Sequence, residues 1–366
     1  MTPQPSEGRA PGTGTPVNMT PPTPMQQRAR HLAAGQMAPH ALYDSALIST
    51  ALACEGQTWS VTGLHSKGNK YIVFGELSDL DASTSDTRGP RQLVAKVYAS
   101  NRGRPAHDAL VELWHAGFRE PSPYQVARPY GYVEELSTLF QERVKGPSWA
   151  DSLAEVGPVL ESASRQAAEW LLALQALPPR GTLSSVAEQI GSISRCLTEL
   201  AASFPEQAPS LEQIRRALTA RLGEDRSPAV PAHGDYHPSN IYVSRGQVTV
   251  IDFDTYGLRT PAFDVGYALG QLVIMSFLTA GSPMAGARAG RTFWTRYARD
   301  GAARWRHVAA QVARTLVQSL HYELCTFRTG RHDLIPLWLG GVEAWLSASG
   351  PEVFAAPFGT PGRTSW

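Results

Sequence analysis

The stretch 233–264 constrains the fold of this chain more than any other part of the sequence. Within it, two β-branched runs, 241–243 and 248–251, flank a short segment of turn-forming residues, a pattern that predicts a β-hairpin. A hairpin brings the residue before its first strand close to the residue after its second strand. Asn240 and Asp252 hold these two positions, so we expect their side chains to lie together.

The chemistry of this predicted hairpin follows from its polar residues. An amide oxygen and a carboxylate that face one point suit a hard cation such as Mg²⁺. Asp235 lies just upstream, on a loop that Pro238 and Ser239 turn, where its carboxylate can meet an incoming hydroxyl. Phosphoryl transfer needs these parts, namely metal ligands beside nucleotide phosphates and a carboxylate that accepts the proton of an alcohol.

The order of these residues resembles the aminoglycoside phosphotransferase and choline kinase family. The resemblance lies in His-Gly-Asp at 233–235, an Asn five residues after the Asp, and a hydrophobic residue followed by Asp252. This family consists of small-molecule kinases with a protein-kinase-like fold. The resemblance implies an α+β bilobal fold with an antiparallel β N-lobe and a mainly helical C-lobe. It also implies that Asp235 is the catalytic base and that Asn240 and Asp252 are Mg²⁺ ligands.

Four neighbouring residues are interpreted as support for this site. Asp264 matches a later Asp of the family and is expected to brace the loop. His233 is expected to hold the same loop through hydrogen bonds, and His237 is expected to lie behind the reacting groups. Asp254 stands where protein kinases have Gly, but acidic residues at this position are familiar in the small-molecule group.

A lysine between valines, Lys96, lies in a predicted strand over 92–98. Burial of an ammonium without a partner is costly, and strand alternation also allows a lysine that faces solvent. The Val-Ala-Lys run resembles the kinase lysine that holds the α- and β-phosphates, which is the interpretation we favour. Its acid partner is expected on a predicted helix over 106–118, as Glu112, with Asp108 as the runner-up.

The donor nucleotide is expected to be ATP (or GTP). Two predicted strands at 59–64 and 71–77 enclose a turn that lacks GxGxxG but contains three residues able to form a tight loop over the phosphates: Ser66, Gly68 and Asn69. The segment 141–146 is expected to be the hinge between the lobes. The resemblance implies that its backbone from Glu142 to Val144 faces the adenine.

The rest of the chain divides by composition. Residues 1–36 are rich in Pro, Thr, Gly and Gln and predict a disordered tail. We expect the N-lobe over 37–145, the C-lobe over 146–350 and a loose tail over 351–366. Helices are predicted at 38–52, 163–177, 183–202, 210–222, 266–279, 288–301, 305–329 and 334–349. The apolar segment 266–279 is too short to span a bilayer and predicts a buried helix.

The net charge indicates which classes of partner to expect, and the cysteines indicate the cellular compartment. The net charge is +1, so no global field draws the chain to nucleic acid or to an anionic membrane, and neither is expected as a partner. The three cysteines are far apart, which favours free thiols in a reducing compartment and a cytoplasmic location. No secretory signal pattern opens the sequence. A monomer or a homodimer is expected.

The charge of residues 265–366 indicates the charge of the acceptor. Residues 265–366 contain ten arginines, no lysine and five acidic residues. A polycationic aminoglycoside calls for an acid-rich pocket, because opposite charge steers and holds such a ligand. We therefore expect a small-molecule alcohol that is neutral or anionic.

Other functions remain open at this stage. An aminoglycoside O-phosphotransferase and a non-catalytic nucleotide-binding pseudokinase or regulatory protein both fit the same motifs. An atypical protein kinase is disfavoured, because the sequence has no His-Arg-Asp, Asp-Phe-Gly or Ala-Pro-Glu segment. A zinc site formed by His233, Asp235 and His237 lacks a further His or Cys cluster to close it.

Overall fold

The first half of the molecule is a five-stranded antiparallel sheet. A computed structural model describes residues 39–52, 54, 57–67, 70–79, 90–155, 157–244 and 246–359. The sheet has the strand order β1-β2-β3-β6-β5. The elements of this half are α1 Ser45–Ala51, β1 Gln57–Lys67, β2 Lys70–Asp79, β3 Arg91–Tyr98, α2 Arg104–His115, β4 Tyr124–Val126, β5 Pro129–Val133 and β6 Thr138–Glu142.

The alternation of side chains along β2 and β3 separates the two faces of this sheet. Val73, Leu93 and Ala95 are buried in a small core with the α1 region, and Trp59 closes it by donating from Nε1 to the carbonyl of Leu42 at 2.8 Å. The intervening residues of β2 and β3 lie on the opposite face of the sheet. This face is directed toward the second half of the chain. Residues 94, 96 and 98 of β3 are among these intervening residues and pair with 74, 72 and 70 of β2.

The second half is mainly helical and contains two small sheets. Its elements are α3 Pro158–Gln175, α4 Val186–Ser203, α5 Ala208–Gly223, β7 Val230–Ala232, β8 Ile241–Ser244, β9 Gln247–Val250, β10 Gly257–Arg259, α6 Ala262–Ala280, α7 Met284–Tyr297, α8 Trp305–His321, the π-helix Tyr322–Thr326 and α9 Leu334–Ser347. The bilobal architecture predicted from the sequence, an antiparallel sheet followed by a mostly helical lobe, is confirmed.

One parallel strand pair connects the β8–β9 hairpin to the first half of the chain. β4 pairs with β9 in parallel, and β9 pairs with β8 in antiparallel fashion. Val126 and Val250 lie opposite each other in this sheet, and both are buried in the large core. The hairpin therefore has a fixed position relative to the N-terminal sheet.

The close contact between α6 and α8 positions the helical side of the site. A Cβ at Gly266 would collide with the Cβ of Gln311, and a Cβ at Gly270 would crowd Thr315. Glycine at these positions lets the two helices approach closely. The contact fixes the first turns of α6 against the middle of α8.

The apolar helix α6 is longer than its sequence predicted. It spans Ala262–Ala280 and is long and apolar enough to cross a membrane by length and composition. About two thirds of its apolar window, 67%, is buried inside the protein, as expected of the core helix of a folded domain. The sequence prediction of a buried helix is confirmed, whereas its argument from short length was wrong.

Two further predictions need correction. The predicted loose tail is wrong for 351–359, because Pro351–Ala355 forms a 3₁₀-helix and the side chains of Val353, Phe354 and Phe358 are buried against the helical core. The predicted helix over 305–329 ends earlier, where α8 passes into the π-helix. Predictions for 1–36 and for 360–366 lie outside the described residues.

Candidate active site

The β8–β9 hairpin brings Asn240 and Asp252 to one cleft. The hairpin pairs Ile241 with Val250, and the N–H of Ile251 donates to the carbonyl of Asn240 at 3.0 Å. Asn240 and Asp252 both line the same cleft of about 570 Å³ between the N-terminal sheet and the helical lobe. The predicted proximity of the two residues is therefore present.

The loop that precedes the hairpin is held by a buried carboxylate. Asp264, in the first turn of α6, accepts hydrogen bonds from the backbone N–H groups of His233 at 2.7 Å and Gly234 at 2.9 Å. Gly234 has a φ of 84°, and a Cβ there would collide with the carbonyl oxygen of Thr255. Burial raises the pKa of Asp264, an effect that the nearby His233 and Arg259 oppose. Asp264 makes the bracing contacts expected from the sequence.

His233 connects this loop to the end of β9. Its Nε2 donates to the carbonyl of Ile251 at 2.9 Å, and its Nδ1 accepts from the N–H of Asp235 at 3.2 Å. These two partners select the neutral tautomer with the proton on Nε2. His233 is fully buried, so it fixes Asp235 relative to Asp252 through their backbones.

The carboxylate of Asp235 is partly exposed and has two aromatic neighbours. Its Oδ2 lies 3.6 Å from Nε2 of His237, and its carboxylate interacts with the phenol of Tyr267 on α6. Burial raises the pKa of Tyr267, and the charge of Asp235 raises it further. The phenol therefore stays protonated, and as a hydrogen-bond donor it orients the carboxylate of Asp235. The sequence singled out His237 but missed Tyr267, which an apolar helix pattern does not reveal.

The amide of Asn240 has a defined orientation. Asn240 is buried, and its Nδ2 donates to the carbonyl of Asp235 at 3.1 Å. Because the NH₂ group is engaged by the backbone, Oδ1 remains as the acceptor of this side chain. A backbone contact thus orients the amide so that its oxygen is the atom suited to a cation.

Three charged residues that line the cleft, Lys70, Lys96 and Asp252, form a cluster with Asp254. The ammonium of Lys96 lies 2.7 Å from Asp252 and 3.4 Å from Asp254, and that of Lys70 lies 3.3 Å from Asp252 and 2.7 Å from Asp254. Tyr98 also donates to Asp254 at 2.8 Å. Asp252 has a φ of 70°, which turns its carboxylate toward the lysines.

The charges in this cluster stabilise one another. Burial by itself raises the pKa of Asp252, but the Lys96 and Lys70 ammoniums outweigh burial and hold this pKa well below its usual range. Burial lowers the pKa of Lys70, and the two aspartates more than reverse that effect. Lys70 and Asp252 are therefore charged at neutral pH.

The predicted partner of Lys96 is wrong. Among the described residues its ammonium pairs with Asp252 and Asp254, not with Glu112 or Asp108. Helix α2 packs on β4 and β5, and Glu112 interacts with Tyr256 instead. Asp108 is exposed and pairs with Arg104 at 3.6 Å. The two carboxylates that follow β9 reach the ammonium from the opposite side of the cleft.

Lys70 is a site residue that the sequence reading missed. It begins β2 opposite Tyr98, while Ile72 of the same parity lies opposite Lys96. Lys70, Ile72 and Phe74 occupy alternate positions of β2, and all three line the cleft. This alternation in the sequence could have indicated Lys70, because Lys70 lies on the same face of β2 as Ile72, the residue opposite Lys96.

The hinge follows β6 and lines the same cleft. The N–H of Arg143 donates to the carbonyl of Gln92 at 3.0 Å, and its guanidinium lies 4.8 Å from the ring centre of Phe74. The N–H of Val144 donates to no acceptor in the described part of the chain. Glu142 and Val144 are both at the cleft, as the hinge prediction required.

The predicted phosphate loop is described only in part. Ser66 lies within β1, paired with Tyr71 and exposed, rather than in the turn itself. Gly68 and Asn69 lie outside the described residues. As for the zinc alternative, no group of three or more His, Cys, Asp and Glu side chains suited to a metal occurs in the part of the chain that the structure describes.

The fold matches structures of small-molecule kinases. A choline/ethanolamine kinase family protein from Mesorhizobium loti is 14% identical, with coverage of 91% of this chain and 99% of that chain and a TM-score of 0.52. An amicoumacin kinase in complex with AMP-PNP, Ca²⁺ and Ami is 13% identical, with coverage of 83% and 94% and a TM-score of 0.52. The GDP and kanamycin complex of APH(2")-IIia is 17% identical, with coverage of 83% and 98% and a TM-score of 0.51. At such identities these likenesses show the fold alone.

The sequence itself identifies the family. The model of the phosphotransferase enzyme family (APH) matches residues 82–306, more than half of the chain. The chain therefore belongs to this phosphotransferase family, and the resemblance drawn from its motifs is confirmed. No functionally curated protein matches the chain significantly.

Proposed function

We propose that this protein transfers the γ-phosphoryl group of ATP (or GTP) to a hydroxyl group of a neutral or anionic small molecule. One observation carries the proposal. The cleft has two lysines on its sheet side and two prospective metal ligands, Asn240 and Asp252, on its hairpin side, with the hinge backbone at its end. This is the distribution of charge that a nucleoside triphosphate requires.

The sheet side of the cleft supplies the cationic groups. Lys96 is 4% exposed and Lys70 is half-buried, and both ammoniums point at the carboxylates that follow β9. We assign both lysines to the phosphates, because buried ammoniums beside a metal site are placed to neutralise phosphate charge. The free N–H of Val144 is assigned to an acceptor nitrogen of the nucleobase.

The hairpin side suits a divalent metal ion. Oδ1 of Asn240 and the ionised carboxylate of Asp252 are hard oxygen donors in one cleft, and Mg²⁺ is commonly held by one or two such groups together with substrate phosphates. A Mg²⁺ ion held by these two residues would offset the negative charge that develops during phosphoryl transfer. Asp252 holds its negative charge at neutral pH because Lys96 and Lys70 stabilise it.

Asp235 is assigned to the acceptor hydroxyl. It lies on a loop that His233 and Asp264 fix, and Tyr267 orients its carboxylate. In this assignment the hydroxyl donates its proton to Asp235 as the oxygen attacks the phosphorus. Such a positioned base supplies about 10²–10⁴-fold in rate.

The charge of the helical lobe bears on the acceptor. Of the arginines in this lobe, Arg296 pairs with Glu169 and Asp300, Arg306 pairs with Glu224, and Arg331 pairs with Asp333. These surface pairs account for part of the positive excess without forming an acidic pocket. The proposal therefore excludes a polycationic aminoglycoside as the main acceptor.

A kinase screen tests the proposal. Purified protein is incubated with Mg-ATP or Mg-GTP and a library of hydroxylated metabolites, and the expected result is nucleoside diphosphate release that depends on one acceptor class. Nucleotide binding with no acceptor-dependent turnover across the library would support the pseudokinase alternative instead. Strong protection of cells against kanamycin-type drugs would overturn the acceptor assignment.

A further inference from the structure

Arg314 is a buried cation that has no anionic partner in the described part of the chain. It lies in the middle of α8 with 8% of its surface exposed. Its guanidinium donates no hydrogen bond to any described residue, and its Nη1 is fully enclosed. The guanidinium lies over the ring of Phe263 on α6, whose centre is 4.7 Å from the guanidinium carbon.

Arg314 nevertheless remains charged. Burial lowers the pKa of its guanidinium to about 10, and nearby Arg259 lowers it as well, so the cationic form still dominates at neutral pH. Burial of a charge without a counterion is strongly unfavourable, and an aromatic face returns only part of the lost hydration. The buried cation therefore favours the approach of an anion.

A second arginine adds to the positive charge at the same ring. The guanidinium of Arg259 lies 4.8 Å from the centre of the Phe263 ring, and its Nη1 donates to the carbonyl of Thr255 at 2.8 Å. Its Nε is enclosed without a partner in the described chain. Arg259 has the Asp264 carboxylate among its neighbours, whereas the electrostatic neighbours of Arg314 are phenols, a thiol and Arg259 itself.

The position of Arg314 connects it to the reacting carboxylate. Tyr267 follows Phe263 by one helical turn on α6; it interacts with Arg314 and also with Asp235. Tyr322, two turns beyond Arg314, is a further neighbour of both Arg314 and Tyr267 and is 45% exposed. The phenol of Tyr267 is thus a common neighbour of the Arg314 guanidinium and the Asp235 carboxylate.

We propose that Arg314 binds a carboxylate or phosphate group on the acceptor whose hydroxyl is held at Asp235. The inference rests on the proposed function and narrows its acceptor to a hydroxylated small molecule that carries an oxyanion. A guanidinium presents a planar fork of N–H donors that matches both oxyanions, so the structure defines their shared chemistry.

Fragment binding tests this site directly. Thermal unfolding is measured with Mg²⁺ and AMP-PNP present, so that the nucleotide cleft is filled, and with inorganic phosphate, sodium acetate or sodium chloride at equal ionic strength. Phosphate or acetate is expected to raise the Tm of the wild-type protein above the chloride value. The anion that gives the larger shift identifies phosphate or carboxylate as the group recognised.

The matched variants are Arg314→Met and Arg299→Met. Arg299 is an exposed arginine of the same lobe, so its variant removes the same charge without touching the proposed site. The rise in Tm is expected to persist in Arg299→Met and to disappear in Arg314→Met. An equal rise in Arg314→Met, or no rise for either anion in the wild-type protein, would overturn the proposal.

A second test needs only the wild-type protein, in case Arg314→Met does not fold. Phosphoryl transfer is measured to matched pairs of acceptors, namely glycerol with glycerate and with glycerol 3-phosphate, and ribose with ribose 5-phosphate. The anionic member of an accepted pair is expected to have a kcat/KM about tenfold or more above that of the neutral member, since charge-assisted hydrogen bonds are the stronger ones.

The two proposals fail in different ways. Use of the neutral members equally well would overturn the anion site and leave the kinase assignment intact. Failure to bind AMP-PNP or to transfer phosphate to any acceptor would count against the kinase assignment, while the loss or persistence of the anion-induced rise in Arg314→Met still decides the role of Arg314.

Discussion

The two sides of the proposed site differ in whether their buried charges have partners of opposite charge. On the nucleotide side, Lys70 and Lys96 face Asp252 and Asp254 within hydrogen-bond or ion-pair distance, so each buried charge has an opposite charge from the same chain. On the proposed acceptor side, Arg314 is 8% exposed, and its electrostatic neighbours among the described residues are phenols, a thiol and Arg259. The first side can hold its arrangement by itself, whereas the second calls for an anion from outside the chain.

The largest expected effect separates chemistry from binding. Asp235→Asn should lower kcat by about 10²–10⁴-fold, because it removes the carboxylate proposed to accept the proton of the hydroxyl. Nucleotide affinity should stay within about twofold, since Asp235 does not line the nucleotide cleft. Steady-state turnover and calorimetric titration of the nucleotide measure the two quantities.

The matched control for this variant is Asp108→Asn, which changes an exposed aspartate of α2 in the same way. It should leave turnover and nucleotide affinity unchanged. Wild-type turnover in Asp235→Asn would show that another group accepts the proton.

The next effect concerns the partner of the buried lysine. Lys96→Met should raise the nucleotide Kd about 10- to 100-fold, because charge-assisted hydrogen bonds are worth about 1.5–3 kcal/mol. Glu112→Gln should change the Kd by less than about twofold, since Glu112 does not contact Lys96 in this structure. Equal losses in the two variants would restore the Lys96–Glu112 pair that the sequence suggested.

The smallest effect is on stability and compares the two sides directly. Lys96→Met should lower the free energy of unfolding by about 2 kcal/mol, less than the ~3–5 kcal/mol of a fully enclosed pair, because Lys70 remains and the aspartates are partly exposed. Arg314→Met should stay within about 1 kcal/mol of the wild-type value, because it removes a charge that the chain leaves unpaired. Chemical denaturation measures both.

The pH dependence of this stability has a defined sign. Because the lysines lower the pKa of Asp252, its contribution is present above its ordinary pKa of 3.8 and is lost as the pH falls through its lower value in the folded protein. The difference between wild-type protein and Lys96→Met should therefore shrink below about pH 4. A difference that stays constant down to pH 2 would contradict the ion pairing.

The local parts of the site were predictable from the sequence. Spacing alone placed Asn240 beside Asp252, because a hairpin closes over a few residues and its register follows from the β-branched runs. The bracing contacts of Asp264 with 233–234 agree with the role its position suggested. These features depend on contacts within a short hairpin and on a residue in the first turn of one helix, α6.

Contacts between distant segments were not predictable in the same way. Lys96 and Asp252 are 156 positions apart, and their pairing depends on how the β4–β9 strand pair docks the hairpin under the sheet. In the sequence, Arg314 is one of ten arginines in residues 265–366, and only the close packing of α6 on α8 shows that it is buried. The packing of Phe358 in the C-terminal segment likewise depends on a groove that no local pattern describes.

Metal-dependent nucleotide binding tests the central claim most directly. Calorimetric titration of ATP with and without Mg²⁺ should show that Mg²⁺ strengthens binding to the wild-type protein, and that this gain is lost in Asp252→Ala, which lacks the carboxylate proposed to hold the ion. Loss of the gain together with a folded variant is the predicted result. An Asp252→Ala protein that keeps the full Mg²⁺-dependent gain would contradict the assignment of this cleft as a phosphoryl-transfer site.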